Sequence, residues 1–105
     1  MSDYIQIYTT LPDQESAQTM ARLVVEKKLG ACAQIEGPIQ SVYRWEEKIE
    51  SSQEFKLTIK SKSSLYDDLE REIKSNHPYD VPEIIITQIP TGSADYLKWI
   101  DEALS

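Results

Sequence analysis

The first thirty residues change from an alternating pattern of apolar and polar side chains to a helical one. The stretch YIQIYTT, residues 4–10, places Ile5 and Ile7 on one face and polar or tyrosine side chains on the other. Such alternation is typical of a half-buried strand. From residue 11 onward the apolar positions recur every three or four residues, which predicts a helix that Gly30 should end. Its predicted buried face consists of Ala17, Met20, Ala21 and Val24.

Residues 31–62 predict two strands joined as a hairpin. In IQSVYRWEEKIE, Tyr43 and Trp45 alternate with Arg44 and Glu46, and EFKLTIK alternates apolar residues with lysines and a threonine. The polar stretch ESSQ, residues 50–53, is the expected turn. A hairpin of residues 39–60 is long for this chain, so its outer end should project beyond the rest of the sheet and leave aromatic side chains uncovered.

The second half of the chain repeats the order helix, strand and helix. A helix is predicted over residues 64–76, with Asn76 in a left-handed exit, and the stretch NHPYDVPEIII then converts helix into strand. Pro78 and Pro82 exclude the preceding residues from helical backbone conformation. The continuous apolar run around residues 84–86 predicts a strand buried on both faces, and Ser93 should cap a final helix.

The element order β-α-β-β-α-β-α predicts the fold. It is the order of an α+β, ferredoxin-like split βαβ sandwich with an extended central hairpin and an added C-terminal helix, in a single domain of residues 1–105. Both main helices then cover one sheet face, and the other face, with Tyr4, Tyr8, Lys56 and Lys60, stays bare unless something packs on it. A second copy of the chain is the simplest cover. Copies arranged in a closed ring would also cover every sheet edge.

Composition and charge exclude several classes of protein. The chain has 18 acidic and 11 basic residues and a net charge of −7, so binding to nucleic acid or to anionic membranes is not predicted. One cysteine cannot form an internal disulfide bond, which favours a reducing compartment. The sequence opens without a leader pattern and contains no apolar run of membrane-spanning length. These features together predict a cytoplasmic protein without a membrane anchor.

Few residues carry candidate chemistry, and each has an ordinary structural alternative. His77 is the only histidine; it is either a metal ligand or proton carrier, or a helix-exit residue bonded to nearby backbone. Cys32 is either a reactive or metal-binding thiol or a small buried side chain. Glu83 is expected to form an ion pair with Arg44 or Lys60, or to bind a ligand.

The hairpin aromatic residues also have two interpretations. Tyr43 and Trp45 share a face, so they are suited either to stacking on a planar ligand or to anchoring a subunit interface. No nucleophile stands near a base in sequence, and no glycine-rich phosphate loop is present. An enzyme is therefore not predicted. The weakest alternative is a small enzyme that uses His77 with Glu83 as an acid–base pair.

Five segments in order resemble the CutA family, the divalent-cation tolerance proteins. They are TTLPDQESA, EKKLGACAQI, SVYRWEEKIE, HPYDVPEII and GSADYLKWI, and together they span most of the chain. The resemblance implies a ferredoxin-like protomer in a tight homotrimer, no established catalytic activity, and a role in tolerance of copper and other divalent metals. That fold is similar to the trimeric PII signalling proteins, so a PII-like sensor binding a small metabolite between subunits is the alternative function.

The resemblance implies only part of a metal site. The positions at which some family members are proposed to bind copper correspond here to Thr9, Asn76 and His77, and of these only histidine is a good transition-metal ligand. No cofactor is therefore required, although copper or another divalent cation is expected to bind weakly. The candidate metal ligands are His77 and Cys32. The candidate residues of an intersubunit cleft or interface are Tyr43, Arg44, Trp45, Lys60, Tyr79 and Glu83.

Overall fold

The computed structural model describes residues 3–105, and the seven predicted elements occur in the predicted order. The four strands form one antiparallel sheet. A single 3₁₀ turn, Ser63–Leu65, precedes the second helix. The α+β ferredoxin-like prediction is thus confirmed for the chain. The elements are β1 (Tyr4–Leu11), α1 (Gln14–Glu26), β2 (Cys32–Trp45), β3 (Lys48–Lys62), α2 (Tyr66–Asn76), β4 (Ile85–Gln88) and α3 (Ala94–Leu104). The strand order across the sheet is β2-β3-β1-β4.

The hydrophobic core lies between one face of the sheet and the helices α1 and α2. Ile7 of β1 pairs with Ile59 of β3 at the centre of the sheet, and neither side chain is exposed. Alternation along both strands brings the neighbouring apolar residues to the same face. The other buried members of this cluster are Ile5, Leu11, Leu57, Ala17, Met20, Val24, Leu69 and Ile73.

The first helix begins as its sequence predicts and ends earlier. The side chain of Asp13 accepts a hydrogen bond from the backbone N–H of Ser16 at 2.7 Å, which caps the N-terminus. The helix ends at Glu26, and Lys28 rather than Gly30 adopts the left-handed conformation, with φ of 57°. The predicted role of Gly30 is therefore wrong. Gly30 is needed for close packing instead, because a Cβ there would lie 2.7 Å from Cγ2 of Ile59.

The hairpin turn does not lie at residues 50–53 as predicted. Trp45 pairs with Lys48, so the turn consists of Glu46 and Glu47, whose φ angles are 50° and 65°. Left-handed residues at both positions match the twist of the flanking strands. The polar residues 51–53 instead continue β3 as partners of residues 40–42. The strands therefore extend farther than the polar composition of this stretch predicts.

The outer half of the hairpin projects away from the core. The molecule measures 45 × 25 × 23 Å, and apolar side chains near the tip have little contact with the rest of the chain. Val42, Trp45 and Ile49 are 67%, 55% and 66% exposed. The expected uncovered aromatic surface is thus present.

The last strand is short and lies at a sheet edge. Strand β4 contains four residues and pairs only with β1. Ile85 and Ile86 remain 49% and 41% exposed, so the prediction of burial on both faces is wrong for the single chain. The apolar run predicts a buried strand, but the position of β4 at the edge of the sheet leaves these side chains exposed.

The helix ends in the second half show one further difference. Asn76 remains helical, and His77 ends α2 in an extended conformation with φ of −88° and ψ of 137°. Pro78 accounts for this, since the residue before a proline avoids the helical region. The predicted left-handed exit at Asn76 is wrong.

Helix α3 is capped as predicted and is fixed to the sheet by polar contacts. The side chain of Ser93 accepts from the backbone N–H of Tyr96. Asp101 accepts from Tyr4 at 2.8 Å and pairs with Lys62 at 2.9 Å. Within α3 only Ile100 is buried. Within residues 3–105 no helix combines the length and the hydrophobicity needed to cross a membrane.

Candidate functional site

A polar cluster lies at the base of the projecting hairpin, where β1 ends. The last β1–β3 pair is Leu11 with Phe55, so Glu54 is the first residue of β3 beyond the end of β1. On the other side, α2 ends at His77, and Pro78 directs the chain so that Tyr79 reaches Glu54. We call His77, Tyr79 and Glu54 the hairpin-base cluster.

Hydrogen bonds to backbone fix the orientation of the His77 ring. Nε2 lies 2.9 Å from the carbonyl oxygen of Thr10 and 3.1 Å from Oγ1 of Thr9. Nδ1 lies 3.1 Å from the backbone nitrogen of Tyr79, whose N–H donates to it. Because a carbonyl only accepts, these partners assign the proton to Nε2 of a neutral ring. His77 thus joins the end of β1 to the turn after α2.

The surroundings of His77 favour its neutral form. Partial burial lowers the pKa of the imidazole below its ordinary value, and the hydrogen bond to Thr10 and the negative charge of Glu54 oppose this only in part. Protonation would also place a hydrogen on Nδ1, opposite the N–H of Tyr79. A charged His77 is therefore incompatible with the bond that closes this turn.

We expect the His77 imidazole to titrate below the ordinary histidine pKa of 6.5. A group whose folded pKa is depressed stabilises the fold above its unfolded pKa, and that contribution is lost as the pH falls through the folded pKa. Stability should therefore decrease on acidification below about pH 6.5. The ring proton resonances of the single histidine measure this pKa directly by NMR. A pKa above 6.5 would contradict the assigned tautomer. So would a His77→Gln variant that loses as much stability on acidification as the wild type does.

The half-buried Tyr79 contacts the buried Glu54 in this cluster. The Tyr79 hydroxyl donates to Oε2 of Glu54 at 2.8 Å, and Glu54 is only 8% exposed. Burial first, and then the hydrogen bond to the Glu54 carboxylate and its charge, raise the pKa of Tyr79 well above that of a free tyrosine. The negative charge of Asp13 and the phenol of Tyr43 act in the same direction. The cluster therefore contains a neutral phenol held against a buried carboxylate.

Sequence reasoning found His77 and Tyr79 but not Glu54. The misplaced hairpin turn put Glu54 beside a polar loop, where a glutamate is ordinary. The signal lies in the strand register, since moving the turn to residues 46–47 places Glu54 next to the end of β1.

The two candidate metal ligands lie apart. Cys32 is a half-buried free cysteine at the start of β2 and pairs with Lys60, whereas His77 contacts Thr10, which pairs with Lys56. Four residues along β3 separate these positions, about 13 Å at the usual rise of a strand. Among residues 3–105 no three histidine, cysteine, aspartate or glutamate side chains converge on one point. The donors in this part of a single chain therefore do not fit a transition-metal centre, which needs three or more converging ligands.

The positions implied by the family resemblance converge only in part. Thr9 contacts the His77 ring, but the side-chain amide of Asn76 donates instead to the carbonyl of Glu72 at 2.9 Å. Copper ligation by His77 or by Cys32 remains a prediction from the sequence.

The remaining candidates lie on the hairpin and the open sheet face. Tyr43 accepts a hydrogen bond from Ser52, whereas Arg44 and Trp45 are exposed. Nζ of Lys60 lies 5.5 Å from the ring centre of Tyr96. Glu83 is exposed, and none of the ion pairs formed within residues 3–105 includes it, so the expected pair with Arg44 or Lys60 is not formed there.

Comparison with known proteins gives one consistent result. A family model described as CutA1 divalent ion tolerance protein matches residues 5–103. Protein CutA, chloroplastic, of Arabidopsis thaliana is 43% identical over 91% of this chain, and the divalent-cation tolerance protein CutA of Thermus thermophilus is 36% identical over 91%. The aligned part is 93% of the Thermus protein but only 53% of the Arabidopsis one, so the chain spans about half the length of that plant relative.

Solved structures agree with the fold. The crystal structure of CutA1 from Oryza sativa superposes with a TM-score of 0.96 at 38% identity, covering 99% of this chain and 95% of that one. The periplasmic divalent cation tolerance protein CutA from Archaeoglobus fulgidus superposes with a TM-score of 0.94 at 38% identity, covering 97% and 99%.

These names overturn the cytoplasmic prediction. One similar structure is described as periplasmic, and the Arabidopsis relative is described as chloroplastic. The prediction is wrong because its evidence does not distinguish cellular compartments. A single cysteine cannot form an internal disulfide bond in any compartment, and the surface charge of a folded domain does not determine where the protein is located.

Proposed function

The chain belongs to the CutA1 divalent ion tolerance family, and from this membership we propose that it acts in tolerance of divalent cations, copper among them, as an oligomeric binding or scaffold module. The observation that carries the proposal is the family match over residues 5–103. Relatives that match most of their length are named for tolerance rather than for a reaction, which supports a role without catalysis.

Exposed surfaces support the oligomeric part of the proposal. The hairpin tip exposes Trp45 and Ile49, and the edge strand β4 exposes Ile85 and Ile86. Uncovered apolar edges of this kind are normally paired or buried. A hairpin that covers a neighbouring copy makes a heterologous contact, which closes into a ring when the rotation fits. We propose a ring of three copies.

A growth test examines the proposed function. In a host that lacks its own family member and is sensitive to copper, expression of this chain should restore growth at elevated copper. A Trp45→Asp variant should fail if the assembled form is the active one, and Trp45→Phe is the matched control that retains an aromatic anchor. Growth no better than that of the empty host, with the protein present at normal levels, would refute the tolerance role.

Direct copper binding is expected to be weak. A lone imidazole provides one of the ligands that a tight site needs, and in this structure both nitrogens of His77 are engaged with the protein. Calorimetric titration should therefore show low affinity that His77→Ala removes and Cys32→Ser preserves. Loss of binding in Cys32→Ser alone would move the ligand to the thiol, and tight binding unaffected by both changes would place the site elsewhere.

The metabolite-sensor alternative gains no support from the comparisons. The descriptions of the family model, of the Thermus relative and of the Archaeoglobus structure all refer to divalent ion or cation tolerance.

A further inference from the structure

Among residues 3–105, Glu54 is a buried carboxylate without a positive partner. It is 8% exposed and accepts a hydrogen bond from the neutral Tyr79 hydroxyl. No ion pair formed within residues 3–105 includes Glu54. Burying a carboxylate is costly unless a countercharge accompanies it. A cationic group from outside the chain would complete this site.

Four other groups of the same chain that can carry a positive charge do not serve this purpose. His77 is within electrostatic range of Glu54, but both of its nitrogens are engaged with other partners and burial favours its neutral form. Nζ of Lys56 lies 4.4 Å from the ring centre of Tyr8. Lys48 and Arg44 lie near the far end of the hairpin. Lys48 is six residues along β3 from Glu54, about 20 Å at the usual rise of a strand.

Lys48 lies on the hairpin surface that is expected to meet a neighbouring copy. It is exposed and, within the described residues, forms no ion pair. It pairs across the hairpin with Trp45, so the two side chains share a face, and alternation places Tyr43 on that face too. Arg44 pairs with Ile49 and lies on the opposite face. An interface formed by the hairpin face of Tyr43 and Trp45 would therefore also include Lys48.

We propose that Lys48 of a second copy pairs with Glu54 and completes the hairpin-base cluster between two subunits. The inference rests on the proposed assembly. It adds the ion pair that would position the hairpin of one copy on the neighbouring copy. Each copy gives one lysine and receives one, so the contact repeats around a ring. The charge pair would set the register of the hairpin, and the aromatic residues beside it would supply apolar contact area.

A double-mutant cycle on the assembled protein tests this pairing. Lys48→Met removes the charge and keeps the apolar stem, and Glu54→Gln keeps an oxygen that accepts from Tyr79. Each change should raise the dissociation constant of the assembly about tenfold or more, as for close charge pairs at interfaces. The dissociation constant of the double variant should not exceed that of the single variant that assembles less tightly. Arg44→Met is the matched control, and its effect should add to that of Glu54→Gln.

The possible outcomes separate this inference from the proposed function. An intact oligomer in which Lys48→Met and Glu54→Gln are additive would overturn the pairing and leave the assembly standing. Coupling of Glu54 to Arg44 instead of Lys48 would also overturn it. So would a result in which Glu54→Gln no longer changes the dissociation constant once a chelator has removed metal ions. A wild-type chain that is monomeric would overturn both proposals.

Discussion

Replacement of Trp45 by aspartate is expected to dissociate the assembly or to unfold the chain. Trp45 is 55% exposed in the single chain and shares a hairpin face with Tyr43. Tryptophan at the centre of an interface commonly contributes about 2–4 kcal/mol or more, and an aspartate buried in its place would add an unpaired charge. Light scattering gives the mass, and circular dichroism shows whether the separated chain stays folded.

Trp45→Phe is the control for this substitution. Phenylalanine retains an aromatic ring at the same position, so the variant should keep the mass of the wild type, with a modest loss of affinity. If Trp45→Asp has the mass and the unfolding midpoint of the wild type, the hairpin tip is not part of an interface.

Truncation of Ile7 to alanine should destabilise the fold by about 2–5 kcal/mol, the usual cost of such a change in a core. Ile7 has no exposed surface and pairs with Ile59 on one side and Ile86 on the other. Ile7→Val removes a single methyl group and should cost about 0.5–1.5 kcal/mol. Guanidinium unfolding measures both, at one fixed protein concentration because oligomer stability depends on concentration. Equal midpoints for the two variants would show that the side chain of Ile7 is not tightly packed.

Local periodicity was sufficient to predict the elements that build the core. Strand β1 and helix α1 are each defined by the spacing of their own apolar residues, such as Ile5 and Val24, and both are buried as expected. The hairpin turn was not predictable in this way. Glutamate is rare at positive φ, yet Glu46 and Glu47 form the turn. Pairing along the whole length of the hairpin outweighs the local preference of these two residues.

Features that depend on distant parts of the chain were beyond the sequence pattern. The hydrophobicity of Ile85 and Ile86 indicates burial, but their exposure follows from the position of β4 at an edge. Likewise, Tyr79 and Glu54 are 25 residues apart in sequence, and their contact depends on strand register. His77 was identified because histidine is rare and chemically distinctive. Its actual hydrogen bonds, to Thr10 and to the amide of Tyr79, required the folded chain.

The mass of the wild-type protein in solution tests the central proposal most directly. The proposed assembly rests on the exposed hairpin surface, the open β4 edge and the buried carboxylate of Glu54. Light scattering at micromolar concentration should give three times the 12.1 kDa of one chain. A stable, folded species of 12.1 kDa under these conditions would contradict the proposed assembly.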